Sequence, residues 1–240
     1  MSTVPLPGRS PSRLRPKYLL FAFIGLMIAY VLYHNESFLI DSADPVWKHY
    51  AIIKGTLLPH GIAGAIALFL GISQFSSRLR SRHTALHRTL GRIYICAVAI
   101  AAPLGVLTQF LDELDGVPRS FTIATAVDAS LWLLATGVAY WCIRNRRIEQ
   151  HRQWMTRSFA VALVFLQVRV IGGLTGWEQL GDAAVETIVW TCVALAYPLA
   201  DLTLLIEERL RSRAADRSRG VPPHAGKPPQ NATANLQADD

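Results

Sequence analysis

Two histidine–arginine pairs carry the side chains best suited to chemistry. The first lies in Leu86-His87-Arg88-Thr89-Leu90-Gly91-Arg92-Ile93-Tyr94, and the second in Gln150-His151-Arg152-Gln153-Trp154-Met155-Thr156-Arg157-Ser158-Phe159-Ala160. Each sets His-Arg and a further arginine against the start of an apolar run. Two imidazoles at one depth on separate helices have the arrangement that holds the iron of haem b, as in membrane cytochromes that carry electrons or reduce quinones. The same residues, His87, Arg88, Arg92, His151, Arg152 and Arg157, also suit an anionic cofactor or a quinone headgroup. The plainer reading is that they hydrogen-bond anionic lipid phosphates and loop carbonyls, with Trp154 floating at the same level. His83 and His87, four apart, would offer two nitrogens on one helical face, with His151 as a third metal ligand. No carboxylate or thiol stands near His83 and His87 in sequence, so no metal centre is expected.

A second set, His60, Asp128 and Arg169, lies inside apolar segments. Counting helical rise from the segment ends places all three roughly 7 to 14 Å below the outer surface. Ionisable groups at such depth are costly, face protein or water, and tend to pair. The expected pair is Asp128 with Arg169, with His60 nearby and Glu186 and Gln109 as possible additions. Such a set reads as a pocket open to the periplasm that binds or translocates a small polar or anionic solute, or that passes protons through His60. It reads equally as a buried ion pair that fixes helix packing in a structural membrane protein with no ligand.

The elements that must position these residues are membrane spans. The chain has 240 residues, 51% of them hydrophobic, too apolar for an ordinary soluble domain and too long for one anchor. Six segments approach or exceed the ~20 apolar residues that a span needs: Tyr18 to Tyr33, Ala51 to Phe69, Ile93 to Phe110, Phe121 to Ile143, Trp154 to Leu174 and Ala183 to Ile206. The first follows a basic tail, but no small-residue cleavage site comes after Tyr33, which argues against a signal peptide. Of 24 Lys and Arg, 20 fall in the N-terminal tail, in 78–92, in 144–157 and beyond Ile206. Basic residues near span ends stay in the cytoplasm, so both termini are expected there. The resulting fold class is an all-α polytopic bundle of six transmembrane helices over 17–208, with flexible cytoplasmic tails at 1–16 and 209–240.

The net charge of +7 does not imply nucleic acid, because the basic residues sit in short loops rather than on one folded face. Cys96, Cys142 and Cys192 fall within spans, as small core residues rather than a disulfide framework. Pro59 beside His60, and Pro103 with Gly105, mark places where a helix is expected to bend. No phosphate-cradling glycine loop, nucleophile elbow or metalloprotease motif occurs, so soluble enzyme chemistry is not indicated.

The stretch from His60 to Tyr94, with His60-Gly61-Ile62-Ala63-Gly64-Ala65, Gly71, Gln74-Phe75, Leu79-Arg80, His87-Arg88 and Gly91-Arg92-Ile93-Tyr94, resembles a bacterial family of predicted membrane proteins, domain of unknown function 2306. The second stretch, His151-Arg152, Trp154-Met155 and Arg157-Ser158-Phe159-Ala160 leading to Arg169, resembles the same family, and Trp190 and Asp201 extend the likeness. The resemblance implies an uncharacterised protein of the bacterial inner membrane and carries no activity. Within it, spans two and three, and spans four and five, repeat one plan: an inward helix, a basic loop, a His-Arg pair and an outward helix.

Overall fold

Patterns of apolar residues long enough to cross a bilayer become helices, because only a helix satisfies its own backbone hydrogen bonds in lipid. The structure, a computed structural model, describes residues 16–34 and 45–218; the tails expected at 1–15 and 219–240, and residues 35–44, lie outside the described residues. Among the described residues the elements are α1 (Pro16–His34), α2 (Val46–His49), α3 (Lys54–Gln74), α4 (Ser77–Arg82), α5 (Thr84–Leu114), α6 (Arg119–Arg144), α7 (Ile148–Ala162), α8 (Val164–Thr175), a 3-10 turn (Trp177–Leu180) and α9 (Asp182–Ser218). No strand occurs among them. α3, α5, α6, α7 with α8, and α9 are each long and apolar enough to cross a membrane, and Leu19–His34 within α1 is a shorter apolar helix. This is a polytopic helical membrane bundle.

The chain divides into two compact units, residues 1–200 and 201–240. In the first, α3 packs on α5, α5 on α6, α6 on α7, and α1 on α8. Alanine dominates the shared core, with Ala63, Ala67, Ala97, Ala101, Ala102, Ala129, Ala139 and Ala196 buried beside Ile188, Cys192 and Val193 of α9. Small residues let helix backbones approach where no hydrophobic effect drives association. Gly71 is one such close approach: a Cβ there would lie 2.5 Å from the Phe159 ring. Large side chains such as Phe69, Ile100, Leu134 and Phe165 point outward instead, as lipid-facing residues do.

Several boundaries differ from the sequence reading. α5 starts at Thr84, well before Ile93, and α7 at Ile148, ahead of Trp154, so both His-Arg pairs sit inside helices rather than in loops. The 31 residues of α5 amount to about 46 Å of helix, against roughly 30 Å of hydrocarbon. Its first turns therefore extend past the apolar stretch, which begins at Ile93, just as the first turns of α7 precede Trp154. α7 and α8 meet at Leu163, whose backbone stays right-handed helical, so they form a single span. α3 and α5 continue through Pro59 and Pro103. Cys142 and Cys192 are buried, but Cys96 is exposed, which corrects its assignment to the core. In the second unit the helix continues to Ser218, past Arg209 where composition predicts a tail; Glu207 and Arg211 brace it as an i,i+4 pair at 2.7 Å.

Candidate functional site at the basic end of α5 and α7

Counting in helical steps of four, seven and eleven from each histidine gives His87, Gly91, Tyr94 and Val98 on α5, and His151, Met155, Ser158 and Ala162 on α7. Such positions share one face. Tyr94, Val98, Met155, Ser158 and Ala162 are all buried, so the two faces turn into the bundle. They meet directly: the Tyr94 hydroxyl lies 2.7 Å from Ser158 Oγ. α6 completes a polar knot. Trp132 Nε1 donates to the Tyr94 hydroxyl at 3.3 Å, Thr136 Oγ1 donates to the Trp132 carbonyl at 2.7 Å, and Thr136 Oγ1 lies 2.8 Å from Ser158 Oγ. Tyr94 and Ser158 are 0% exposed, Thr136 3% and Trp132 8%. Sequence reasoning missed this knot; the only signal was that Tyr94 and Ser158 each stand seven residues after a His-Arg histidine.

Two turns nearer the basic end, both histidines enter the seam. His151 Nδ1 donates to the Ala139 carbonyl of α6 at 2.8 Å, and because a carbonyl only accepts, the proton is assigned to Nδ1 and the neutral ring keeps its lone pair on Nε2. His87 Nδ1 is buried with no hydrogen-bond partner. Burial pushes the His87 imidazole below its ordinary titration range, and the charges of Arg80 on α4, His151 on α7 and Arg88 on its own helix push it the same way. His151 is lowered too, by burial, against a smaller upward pull from the Ala139 bond. Gln74, at the end of α3, is buried, and its Oε1 would lie 3.3 Å from a Cβ on Gly91.

The remaining members of the basic set lie on the same two helices. Arg88 and Arg92 are exposed. Arg152 Nη2 meets Glu149 Oε1 at 2.5 Å. The Arg157 guanidinium stacks 4.8 Å over Trp154, whose ring meets Tyr197 edge-on at 6.5 Å. His83, His87 and His151 do not gather as a metal site: among the described residues no group of three His, Cys, Asp or Glu side chains is placed to hold an ion.

The outer set is not assembled. His60 Nδ1 donates to the Ala101 carbonyl of α5 at 2.8 Å, and its ring fills the space over Gly105, where a Cβ would lie 2.8 Å from His60 Cε1. Asp128 Oδ1 is buried without a partner, within electrostatic reach of Cys192 on α9. The Arg169 guanidinium lies 5.4 Å over the Phe165 ring of its own helix. The expected Asp128–Arg169 pair is thus absent, and His60 joins neither. The cause is rotation about the helix axes: α8, with Arg169, packs on α1, while the Asp128 face of α6 turns to α9, where Tyr197 also donates to the Leu131 carbonyl at 2.9 Å. Glu186 accepts from Ser120 at 2.5 Å, and Ser120 in turn accepts from Trp190 Nε1 at 3.0 Å.

A family model described as predicted membrane protein (DUF2306) matches residues 57–204, a stretch that takes in both His-Arg helices and the whole polar knot. Neither a curated protein nor a solved structure matches the chain.

Proposed function

The chain belongs to the DUF2306 family of predicted membrane proteins, and from that premise we propose that it binds a ligand bearing a phosphate- or carboxylate-class oxyanion at the basic end of the α5–α7 seam. The observation that carries this reading is the buried, unpartnered His87 Nδ1 in the company of Arg80, His151 and Arg88. A buried polar atom left unsatisfied costs about 1–3 kcal/mol, and the neighbouring positive charges oppose its protonation. An oxyanion relieves both at once. In this reading the protein sits in the bacterial inner membrane with the site on the cytoplasmic side, as the clustering of 20 of 24 basic residues at that end favours. The ligand site therefore lies at the opposite end of the bundle from His60, Asp128 and Arg169.

The test is calorimetric titration of the full chain, in nanodiscs of phosphatidylcholine, with inorganic sulfate, inorganic phosphate or short-chain phosphatidylglycerol. Binding that is lost in a His87→Gln, Arg88→Gln double variant with an unchanged circular dichroism spectrum supports the site; absence of binding by all three probes refutes it.

A second reading shares the same residues. An imidazole held by Nδ1–H to a backbone carbonyl, as His151 is to Ala139, also presents Nε2 as a metal-ligating histidine does. That would suit His151 to hold the iron of haem b, with His87 as the second imidazole. Oxidised and dithionite-reduced visible spectra decide it: a Soret band after expression with ample haem supports the haem reading, and its absence removes that reading.

A further inference from the structure

Resting on the oxyanion reading, we infer that the site binds its anion together with a proton, with His87 and His151 as the groups that take the proton up. The geometry carries the argument. A neutral imidazole has one donor and one lone pair, whereas the protonated ring has two donors. With Nδ1 of His151 committed to the Ala139 carbonyl, its Nε2 is a lone pair in the neutral ring and repels an oxyanion. Protonation turns that lone pair into a donor. On His87 the unpartnered Nδ1 donates in the neutral Nδ1–H tautomer and in the cation alike, so it is His151 that presents N–H to the ligand only in its cationic form, while the field of the anion draws a proton onto His87.

In the free protein the surroundings oppose those cations. The charges acting on His87 come from Arg80 of α4, from Arg88 of its own helix and from His151 of α7, all of one sign. α3 brings the neutral amide of Gln74 to this end, and α6 brings the Ala139 carbonyl to His151. The carboxylate closest in sequence to His151, Glu149, is engaged by Arg152. An arriving anion reverses the sign of the local field. Both histidines start from below the ordinary value of 6.5, and the bound anion lifts them, so binding near neutrality consumes protons. By linkage, affinity then rises as pH falls, by up to about tenfold per pH unit for each proton taken up.

Sulfate is the probe that isolates the protein's protons, because it does not itself titrate near neutrality; phosphatidylglycerol, a phosphodiester, shares that property and tests a lipid source. The wild-type full chain in phosphatidylcholine nanodiscs is titrated at several values between pH 5.5 and 8, in two buffers of different ionisation enthalpy, so that the proton count is read without any variant. The expected result is uptake of one to two protons per anion near pH 7. His87→Gln and His151→Gln each lower that count, and Arg88→Gln weakens binding at every pH. Binding with no proton uptake and a flat pH profile overturns the inference and leaves the oxyanion site standing. Failure of both probes to bind at any pH removes the site itself. Tighter binding by sulfate or by phosphatidylglycerol identifies a soluble or a lipid source.

Discussion

Tyr94 and Ser158 join their hydroxyls at 2.7 Å, and each stands seven residues beyond the histidine of its own His-Arg pair. The two echoing stretches of sequence are therefore the two sides of one seam. The bond sets the rotation of α5 against α7, and rotation decides that His87 and His151 enter the bundle instead of facing lipid. Thr136 and Trp132 of α6 satisfy the remaining polar atoms, as a buried network requires.

Removing either hydroxyl should loosen the seam without abolishing the fold. Interhelical hydrogen bonds in membranes contribute about 0.6–2 kcal/mol. Tyr94→Phe and Ser158→Ala should each lower stability by about that amount. In a double-variant cycle, read by denaturation in mixed micelles, the combined loss should fall short of the sum, since the two share one bond.

Gly105 should tolerate no larger residue while His60 is present. A Cβ there would stand 2.8 Å from the imidazole and push the ring off the Ala101 carbonyl. Gly105→Ala should destabilise by about 1–3 kcal/mol, and adding His60→Ala should recover part of that loss. Thermal melting of the three variants checks this order of stability.

Asp128 and Arg169 should behave as strangers. Asp128→Asn and Arg169→Gln should show additive effects on thermal stability, within about 0.5 kcal/mol. A coupling clearly above that would mean that the two side chains meet in the membrane.

Acid should weaken the ligand-free protein. His87 and His151 titrate below their ordinary value when folded, so as pH falls through 6.5 the unfolded chain takes up protons that the folded chain resists. Stability then declines with falling pH. Melting temperatures measured at pH 7.5 and 5.5 without added anion should be lower at 5.5, and His87→Gln should narrow the gap.

The spans were legible because bilayer thickness and backbone satisfaction leave one solution for a long apolar run. The level of His87 and His151 was legible for the same reason, since each precedes such a run by a few residues. Azimuth was not. Opposite charges at similar depth suggested that Asp128 meets Arg169, but depth carries no information about which neighbour a helix face turns toward. Polar side chains as small as Ser158 and Thr136 gave no sign of their partners either, because in sequence they look like any small packing residue. The hydrophobic pattern also ends where the lipid ends, so it could not show that α5 and α7 carry their helices onward to hold the histidines.

Cysteine placement has a practical consequence. Cys142 and Cys192 are buried and Cys96 is exposed on α5, two residues past Tyr94. A thiol-reactive spin label or fluorophore that partitions into the bilayer thus has one preferred address in the natural sequence. The turning of α5 against α7 can be followed by spectroscopy there without engineering a single site.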